Sequence, residues 1–253
     1  MAAPKFVIGN WKMNGSLQAN AALVSALRAE LPQLDAAVSM VVTPPYPYLA
    51  QVSELLAGSD IGLAAQDASQ HKSGAYTGDV ACGMLKDFGT QYVLLGHSER
   101  RGYHAENDAL IAQKIRAVLD AGMTPVFCIG ETREEREAGE TWTVLLHQLD
   151  ATFDLITLGR DKLILAYEPR WAIGTGVSAT PEMIEEVHGF LRKYLVAKHA
   201  QAGEDTPILY GGSMNGSNAA SISTIANVDG GLIGSASLKA EEFVAIYRAV
   251  LAA

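Results

Sequence analysis

The 253-residue sequence has little cysteine, little positive charge and no long apolar run. Its two cysteines, Cys82 and Cys128, indicate neither a disulfide framework nor a metal cluster. Two free thiols are expected in a reducing cytosol, with a single disulfide as the alternative. The net charge of −9 disfavours nucleic acid and anionic membranes as partners. No stretch approaches the roughly 18 apolar residues of a membrane span, and the N-terminus lacks a signal peptide's apolar segment, which favours the cytoplasm.

What the sequence does contain is a regular alternation of short apolar, β-branched runs with longer segments of helical period. With 49% hydrophobic and 19% charged residues, the chain can bury a sizeable core. Eight runs are nearly continuous in apolar character, as expected for strands buried on both faces. These predicted strands are Phe6–Asn10, Val38–Thr43, Ile61–Gln66, Tyr92–Gly96, Pro125–Gly130, Lys162–Glu168, Pro207–Gly211 and Gly231–Gly234.

Each predicted strand is followed by a segment that can form a helix. The first helix has an apolar stripe at Leu17, Val24, Leu27 and Leu31. Thr180-Pro181-Glu182 has the residues of a helix start, and Gly122 stands where a helix would end. Eight strand–helix units without a linker predict one α/β domain over residues 1–253, a closed (βα)8 barrel. An open doubly wound sheet is the alternative, but Gly174-Thr175-Gly176 does not continue as a dinucleotide-binding signature.

Active sites of such barrels lie at the carboxyl ends of the strands, so the polar residues there are the candidates. Asn10 and Lys12 end the first strand, and Lys12 could supply positive charge for an anionic substrate. His97 follows the fourth strand at a predicted helix start, where the helix dipole disfavours its charged form. A neutral imidazole could donate a hydrogen bond to a substrate carbonyl. Arg100 and Arg101 are interpreted as ion-pair partners for nearby acids.

Glu168 ends the sixth strand, after a run of core residues. It is interpreted either as a buried carboxylate tied to an arginine or as a general base. The second interpretation expects partial desolvation to raise the pKa of Glu168. The segment that follows, residues 169–179, is apolar with two glycines near its tip, which is typical of a lid that closes over a site and excludes water.

Glycines follow the seventh and eighth strands, in Gly211-Gly212-Ser213 and Gly234-Ser235. Backbone N–H groups at such positions can converge on an anion, and a helix beginning after Gly234 would point its positive end at it. Phosphate sites in barrels recur after strands seven and eight. The sequence therefore predicts local phosphate binding on an acidic protein.

Five motifs, in the expected order, closely resemble those of the triosephosphate isomerase family over essentially the whole length. They are Asn10-Trp11-Lys12-Met13-Asn14, Gly96-His97-Ser98-Glu99-Arg100-Arg101, Ala166-Tyr167-Glu168-Pro169, Trp171-Ala172-Ile173-Gly174-Thr175-Gly176 and Tyr210-Gly211-Gly212-Ser213. That family is a well-known example of a barrel enzyme with a glutamate base, a neutral histidine and a closing loop, so these roles come with the resemblance.

The resemblance implies interconversion of dihydroxyacetone phosphate and glyceraldehyde 3-phosphate through an enediol(ate). Glu168 would abstract the proton, His97 would polarise the carbonyl, Lys12 would stabilise developing negative charge and Asn10 would position the substrate. The implied phosphate ligands are Asn10, Lys12, Ser213 and the backbone of Gly174, Gly234 and Ser235. The implied lid comprises Pro169, Arg170, Trp171, Ile173, Gly174, Thr175 and Gly176.

The resemblance also implies a homodimer that needs neither cofactor nor metal. Its third loop, about residues 66–78, would insert into the partner near that subunit's lysine and asparagine, with Gly74, Tyr76 and Thr77 at its tip. Thr77 would reach the neighbouring site. Cys128 would be a packing residue near the base.

Several positions depart from the usual pattern of the family. Asp67 stands where Asn is usual, His104 where Phe is usual and Ser235 where Gly is usual. Arg170 and Val177 occupy the two lid hinges, where Val and Lys are common, so we expect lid kinetics or the pKa of the base to differ. The alternatives are another sugar-phosphate barrel enzyme, a non-catalytic descendant with altered hinges and, more remotely, a thiol hydrolase built on Cys128.

Overall fold

The computed structural model describes residues 3–153, 156–158, 162–172 and 179–253. Its β-strands run parallel and close into a barrel in the order β1-β2-β3-β4-β5-β6-β7-β8. Their bounds are β1 Lys5–Asn10, β2 Val38–Thr43, β3 Gly62–Ala65, β4 Tyr92–Leu95, β5 Thr124–Ile129, β6 Ile164–Tyr167, β7 Ile208–Tyr210 and β8 Gly230–Ile233.

Pairing of the last strand with the first closes the sheet. Phe6 of β1 lies opposite Ser39 of β2 on one side and Gly230 of β8 on the other. The barrel prediction is therefore confirmed, and the open doubly wound alternative is excluded because an open sheet would leave β1 and β8 unpaired.

All eight predicted strands are present, with ends that differ by at most two residues from the predicted bounds. The largest difference is in the sixth strand, where the ladder is shorter than the apolar run. Glu168 therefore lies just after β6, and Gly211 and Gly234 lie just after β7 and β8. The Glu168 and Gly211 amides still donate to the Ile129 and Tyr167 carbonyls at 2.7 Å, so these residues are held at the mouth of the barrel.

The described helices surround the barrel. They are α1 Leu17–Glu30, α2 Leu49–Leu56, α3 Cys82–Lys86, α4 Ser98–Tyr103, α5 Asp108–Asp120, α6 Arg133–Glu137, α7 Thr141–Phe153, α8 Pro181–His199, α9 Gln201–Glu204, α10 Ala219–Ser223 and α11 Ala240–Ala252. None of these described helices has the length and apolar character needed to cross a membrane.

Local signals explain several helix ends. Thr180 caps α8 by accepting from the Met183 amide at 3.3 Å, with Pro181 at the first helical position. Gly122 has φ of +77°, a left-handed conformation that favours glycine, just after α5 ends. The predicted stripe on α1 is correct for Val24 and Leu27, which are buried, but wrong for Leu17, which is exposed.

The core has two layers, as expected when a closed sheet is ringed by helices. The inner layer fills the barrel and comprises Phe6, Ile8, Val41, Ala64, Leu94, Val126, Cys128, Ile164, Ala166, Leu209 and Leu232. The outer layer lies between strands and helices and includes Tyr167 and Tyr210. Cys128 therefore packs inside the barrel, and burial raises the pKa of its thiol, which disfavours the thiol-hydrolase alternative.

Candidate active site

A cavity of about 380 Å³ opens at the carboxyl ends of the strands and is lined by the predicted catalytic and substrate-binding residues that the structure describes. Its walls include Asn10, Lys12, His97, Glu168, Ser213, Gly234 and Ser235. Trp11, Asn14, Gly211, Gly212, Met214, Leu232, Ile233 and Leu238 complete the lining. The predicted lid residues Ile173, Gly174, Thr175 and Gly176, and the hinge residue Val177, lie outside the described residues.

Glu168 is almost fully buried, and both of its carboxylate oxygens are engaged. Oε2 accepts a hydrogen bond from the Ser98 amide at 2.8 Å, and Oε1 lies 3.0 Å from Nε2 of His97. Gly211 permits this placement, because a Cβ there would stand 2.8 Å from Cγ of Glu168. The glutamate is thus held by groups that follow β4 and begin α4 rather than by an arginine.

The expected rise in the pKa of Glu168 is wrong for this ligand-free arrangement. Burial raises its pKa, but the charge and hydrogen bond of His97, the Ser98 amide and the Lys12 charge together lower it below its usual value. The sequence-based expectation considered desolvation alone. The carboxylate is therefore ionised at neutral pH and ready to accept a proton.

His97 is the N-cap of α4, and its hydrogen bonds indicate its tautomer. Nδ1 accepts from the Glu99 amide at 3.2 Å, so Nδ1 cannot also carry a proton. The proton of a neutral ring then lies on Nε2, which donates to Glu168. Burial disfavours the imidazolium, but the carboxylates of Glu168 and Glu99 favour it and raise the pKa of His97. The expectation that the charged form is disfavoured is therefore wrong while Glu168 stays in contact.

Lys12 is held at the cavity mouth by its backbone and its side chain. Its φ of +53° is left-handed, and its amide donates to Oδ1 of Asn10 at 3.0 Å. Nε2 of Gln66 donates to its carbonyl at 2.7 Å, which stabilises this strained backbone. The Lys12 ammonium pairs with Oε1 of Glu99 at 2.6 Å. A fixed cation therefore stands beside the histidine and the glutamate.

The opposite wall of the cavity is formed by backbone-rich segments after β7 and β8. Asn218 donates to the Ser213 carbonyl at 3.1 Å and fixes the first of these segments. The second continues as a 3-10 helix, Ser235–Leu238, so the helix predicted after Gly234 is present but is only four residues long. The extended backbone of Lys239 separates this helix from α11. Any anion held here depends on local N–H groups more than on a helix dipole.

The described part of the predicted lid, Pro169 to Ala172, is attached to Glu131, a fully buried carboxylate after β5. Glu131 accepts from the Tyr167 hydroxyl at 3.1 Å and from Nε1 of Trp171 at 3.0 Å. Arg136 pairs with the same carboxylate at 3.0 Å and lies over the Trp171 ring at 4.9 Å. The Arg170 amide donates to the Glu131 carbonyl at 3.1 Å, and Arg170 also borders a separate cavity of about 370 Å³ between α4 and α6.

The two arginines after His97 form ion pairs, but with acids outside the substrate cavity. Arg101 pairs with Asp108 at 2.5 Å, and Arg100 contacts Asp67 at 2.8 Å and Glu106 at 2.7 Å. Lys114 bridges the same two acids, at 2.9 Å from Asp67 and 2.6 Å from Glu106. Asp67, the departure from the usual Asn, is thus part of a buried cluster of two acids and two bases.

Sequence reasoning missed four groups that organise the site: Gln66, the Ser98 amide, Glu99 and Glu131. Glu131 follows β5 closely, so the rule that located Glu168 after β6 could have found it. The partners of Gln66 and Glu99 come from other strands, and only the closed barrel brings them together.

The predicted dimer loop lies on the surface of the single chain. Gly74, Tyr76 and Thr77 are exposed, and the Tyr76 ring stacks on His71 with centroids 3.7 Å apart. Within the described ranges no group of three or more His, Cys, Asp or Glu side chains is arranged to hold a metal ion.

Comparison with known proteins agrees with this geometry. Residues 5–250 match the family model described as triosephosphate isomerase. A triosephosphate isomerase from Delftia acidovorans is 53% identical over 97% of this chain and 98% of the relative, and one from Herminiimonas arsenicoxydans is 53% identical over the same shares. A triosephosphate isomerase from Paracidovorax citrulli is 51% identical over 98% of this chain and 99% of the relative. The chain therefore belongs to the triosephosphate isomerase family.

Proposed function

We propose that Glu168 is the base with which this isomerase interconverts dihydroxyacetone phosphate and glyceraldehyde 3-phosphate. The observation that carries the proposal is that Glu168, His97 and Lys12 line one cavity with the Ser213 and Gly234 segments. A carboxylate base, a neutral hydrogen-bond donor, a cation and an anion-binding wall are the groups that proton transfer next to a carbonyl requires.

The reaction follows from these positions. Glu168 takes a proton from the carbon next to the carbonyl, and the electron pair moves onto the carbonyl oxygen to give an enediolate. The Nε2 proton of His97 stabilises that oxygen, and the Lys12 ammonium balances its negative charge. His97 then passes the hydroxyl proton of the other oxygen to this one through Nε2. Protonated Glu168 delivers its proton to the former carbonyl carbon, which leaves the new carbonyl on the carbon that was first deprotonated. Asn10 positions the substrate and holds the Lys12 amide at 3.0 Å.

Binding of substrate requires Glu168 to change partners. Its carboxylate is held by the Ser98 amide and by His97 in the free enzyme, so it must release both to reach a substrate carbon. The same movement frees Nε2 of His97 for the carbonyl oxygen. It also removes the nearest carboxylate from His97, so the neutral imidazole becomes easier to maintain.

The phosphate of the substrate is proposed to lie between the two glycine-containing segments. The backbone of Gly234 and Ser235, Ser213 and the Lys12 ammonium supply local positive potential on a chain of net charge −9. Gly174 is proposed as a further ligand, within a lid formed by Pro169, Arg170, Trp171, Ile173, Gly174, Thr175 and Gly176. The contacts of Trp171 with Glu131 and Arg136 support an anchored first hinge.

Four further properties complete the proposal. The chain works as one domain over residues 1–253, without a cofactor and in the cytoplasm. It forms a homodimer in which Gly74, Tyr76 and Thr77 of one subunit enter the other near Lys12. The exposure of Tyr76 and Thr77, and of Met13 beside Lys12, supports this arrangement.

A coupled assay tests the function. Glyceraldehyde 3-phosphate is supplied, and the product is reduced by an NADH-dependent glycerol-phosphate dehydrogenase. We expect the Glu168→Gln variant, which keeps the shape of the side chain but not its basicity, to lose at least about 10²- to 10⁴-fold in kcat. The matched control is Glu182→Gln, an exposed glutamate on α8. A wild type no faster than Glu168→Gln would instead support a non-catalytic descendant.

A further inference from the structure

His188 on α8 is a buried polar side chain that the proposed reaction does not use. It is completely inaccessible to solvent, and its Nδ1 lies 2.9 Å from the Asn227 carbonyl. A carbonyl only accepts, so Nδ1 carries the ring proton. Burial lowers the pKa of His188 to about 4, so the ring is neutral at neutral pH. Nε2 is therefore a bare acceptor, and no described residue donates to it.

Two tyrosines flank this histidine. Tyr167 and Tyr210 are paired neighbours on β6 and β7, and their ring centroids lie 6.1 Å and 6.4 Å from the His188 ring. The Tyr167 hydroxyl donates to Glu131. The Tyr210 hydroxyl is buried, and its proton has no acceptor among the described residues. One aromatic cluster thus contains an unused donor and an unused acceptor, and each is costly to leave unpaired.

The Tyr210 hydroxyl also touches the wall proposed to bind phosphate. A Cβ built on Gly212 would stand 2.2 Å from the hydroxyl oxygen, so that oxygen packs directly against the Gly212 backbone. Burial raises the pKa of Tyr210 to about 12, although a backbone interaction of Ala179 with the hydroxyl oxygen lowers it in part. The hydroxyl proton therefore needs an acceptor elsewhere.

We propose that His188 is a positioning residue whose Nε2 accepts a hydrogen bond from one buried water that in turn accepts the Tyr210 hydroxyl proton, and that this bridge holds Tyr210 against the phosphate-binding segment. The proposal rests on the proposed function, because it assigns phosphate to the Gly212–Ser213 wall. His188 touches neither the substrate nor the reacting atoms. It acts through Tyr210, whose hydroxyl packs against the Gly212 backbone and so fixes the position of the adjacent Ser213.

The two nitrogens of His188 can be tested separately. His188→Asn keeps a donor near Nδ1 for the Asn227 carbonyl and removes the acceptor, whereas His188→Gln extends an amide oxygen toward the position of Nε2. We expect His188→Asn to lower kcat/KM by about five- to tenfold and to raise the inhibition constant of inorganic phosphate by a similar factor. His188→Gln should recover most of both losses. A purely packing role predicts the reverse order, because Gln abandons the Nδ1 bond.

The same measurements in a Tyr210→Phe background complete the test. Without the hydroxyl, His188→Asn should change kcat/KM and the phosphate inhibition constant by less than about twofold. Additive effects of the two substitutions, or equal values for His188→Asn and wild type, would overturn the proposal. If His188→Asn fails to fold, an unaltered phosphate inhibition constant in Tyr210→Phe alone would also overturn it. An inactive wild type would contradict the proposed function itself.

Discussion

At the scale of single residues, the contact between His97 and Glu168 determines how strongly each of the two side chains binds a proton. The two side chains lie 3.0 Å apart, and each changes the proton affinity of the other. Burial alone would raise the pKa of Glu168, yet its partners lower it. Contact with His97 therefore keeps the Glu168 carboxylate ionised, as the proposed role of Glu168 as a base requires.

This balance predicts the acid limb of the activity profile. The base must be ionised, so kcat/KM falls as the pH drops through the pKa of Glu168 in the free enzyme. In wild type the Glu168 step of that limb should lie below the usual glutamate pKa of 4.5, because its pKa is lowered, and a second step at higher pH should report deprotonation of His97, whose pKa is raised. His97→Gln removes the His97 step together with the largest cause that lowers the pKa of Glu168, so the Glu168 step should move to higher pH. Stopped assays between pH 4 and 8 measure it.

The control for this experiment is His104→Gln, an exposed histidine just after α4. It should leave the acid limb in place. A Glu168 step at the same pH in His97→Gln and wild type would mean that His97 does not lower the pKa of Glu168. We expect His97→Gln to lower kcat/KM by about 10²- to 10⁴-fold. This loss changes the height of the pH profile but not the pH at which its acid limb lies.

At the scale of elements, buried ion pairs connect segments that the sequence keeps apart. Asp67 follows β3, Arg100 lies on α4, Glu106 precedes α5 and Lys114 lies on α5. Asp67 is further fixed by the Tyr46 hydroxyl, which donates to its carbonyl at 2.6 Å. The adjacent Gln66 donates to the Lys12 carbonyl, and Arg100 follows Glu99, which pairs with the Lys12 ammonium, so the cluster supports both residues that contact Lys12.

Removal of one charge from this cluster should be costly. Lys114→Met leaves the carboxylates of Asp67 and Glu106 with Arg100 as their remaining cation, and breaking a buried ion pair typically costs about 3–5 kcal/mol of unfolding free energy. The double variant Asp67→Asn/Lys114→Met restores charge balance and should recover part of that loss. Urea unfolding at pH 7 of wild type, the two single variants and the double variant gives the four free energies.

The matched control is Lys198→Met, which breaks the exposed pair between Lys198 and Asp150. Exposed pairs contribute about 0–1 kcal/mol, so this variant should unfold close to wild type. Asp67→Asn could lower the unfolding free energy by the same amount in the Lys114→Met variant as in wild type. The two residues would then act independently, and the proposed cluster would be contradicted.

At the scale of the whole molecule, the sequence predicts the barrel well because both sides of each strand are buried. Val38–Thr43 shows this most clearly, since every residue of that apolar run lies in β2. Strand ends then locate Lys12, His97 and Glu168 at one mouth. The pKa of Glu168 was predicted wrongly because it depends on which neighbour the carboxylate contacts. Gln66 and Glu99 were missed because their partners come from other strands.

The exposed loop that follows Gln66 raises the last question, which is how many chains make one working enzyme. Tyr76 is 45% exposed, and Met13 and Tyr103 near the cavity mouth are 96% and 84% exposed. Large exposed apolar side chains around one site indicate an interface. Thr77→Arg places a long charged side chain at the tip of the loop and should keep it out of a partner.

Sedimentation velocity should therefore give about two chains for wild type and one chain of 26.9 kDa for Thr77→Arg. Because the loop would cover the Lys12 backbone of the partner, kcat/KM should fall by about 10²-fold, the loss that a displacement near 1 Å can cause. Thr224→Arg adds the same charge at an exposed position after α10 and should remain dimeric and active. A fully active Thr77→Arg monomer would show that one barrel positions Lys12 unaided, by Asn10, Gln66 and Glu99 alone.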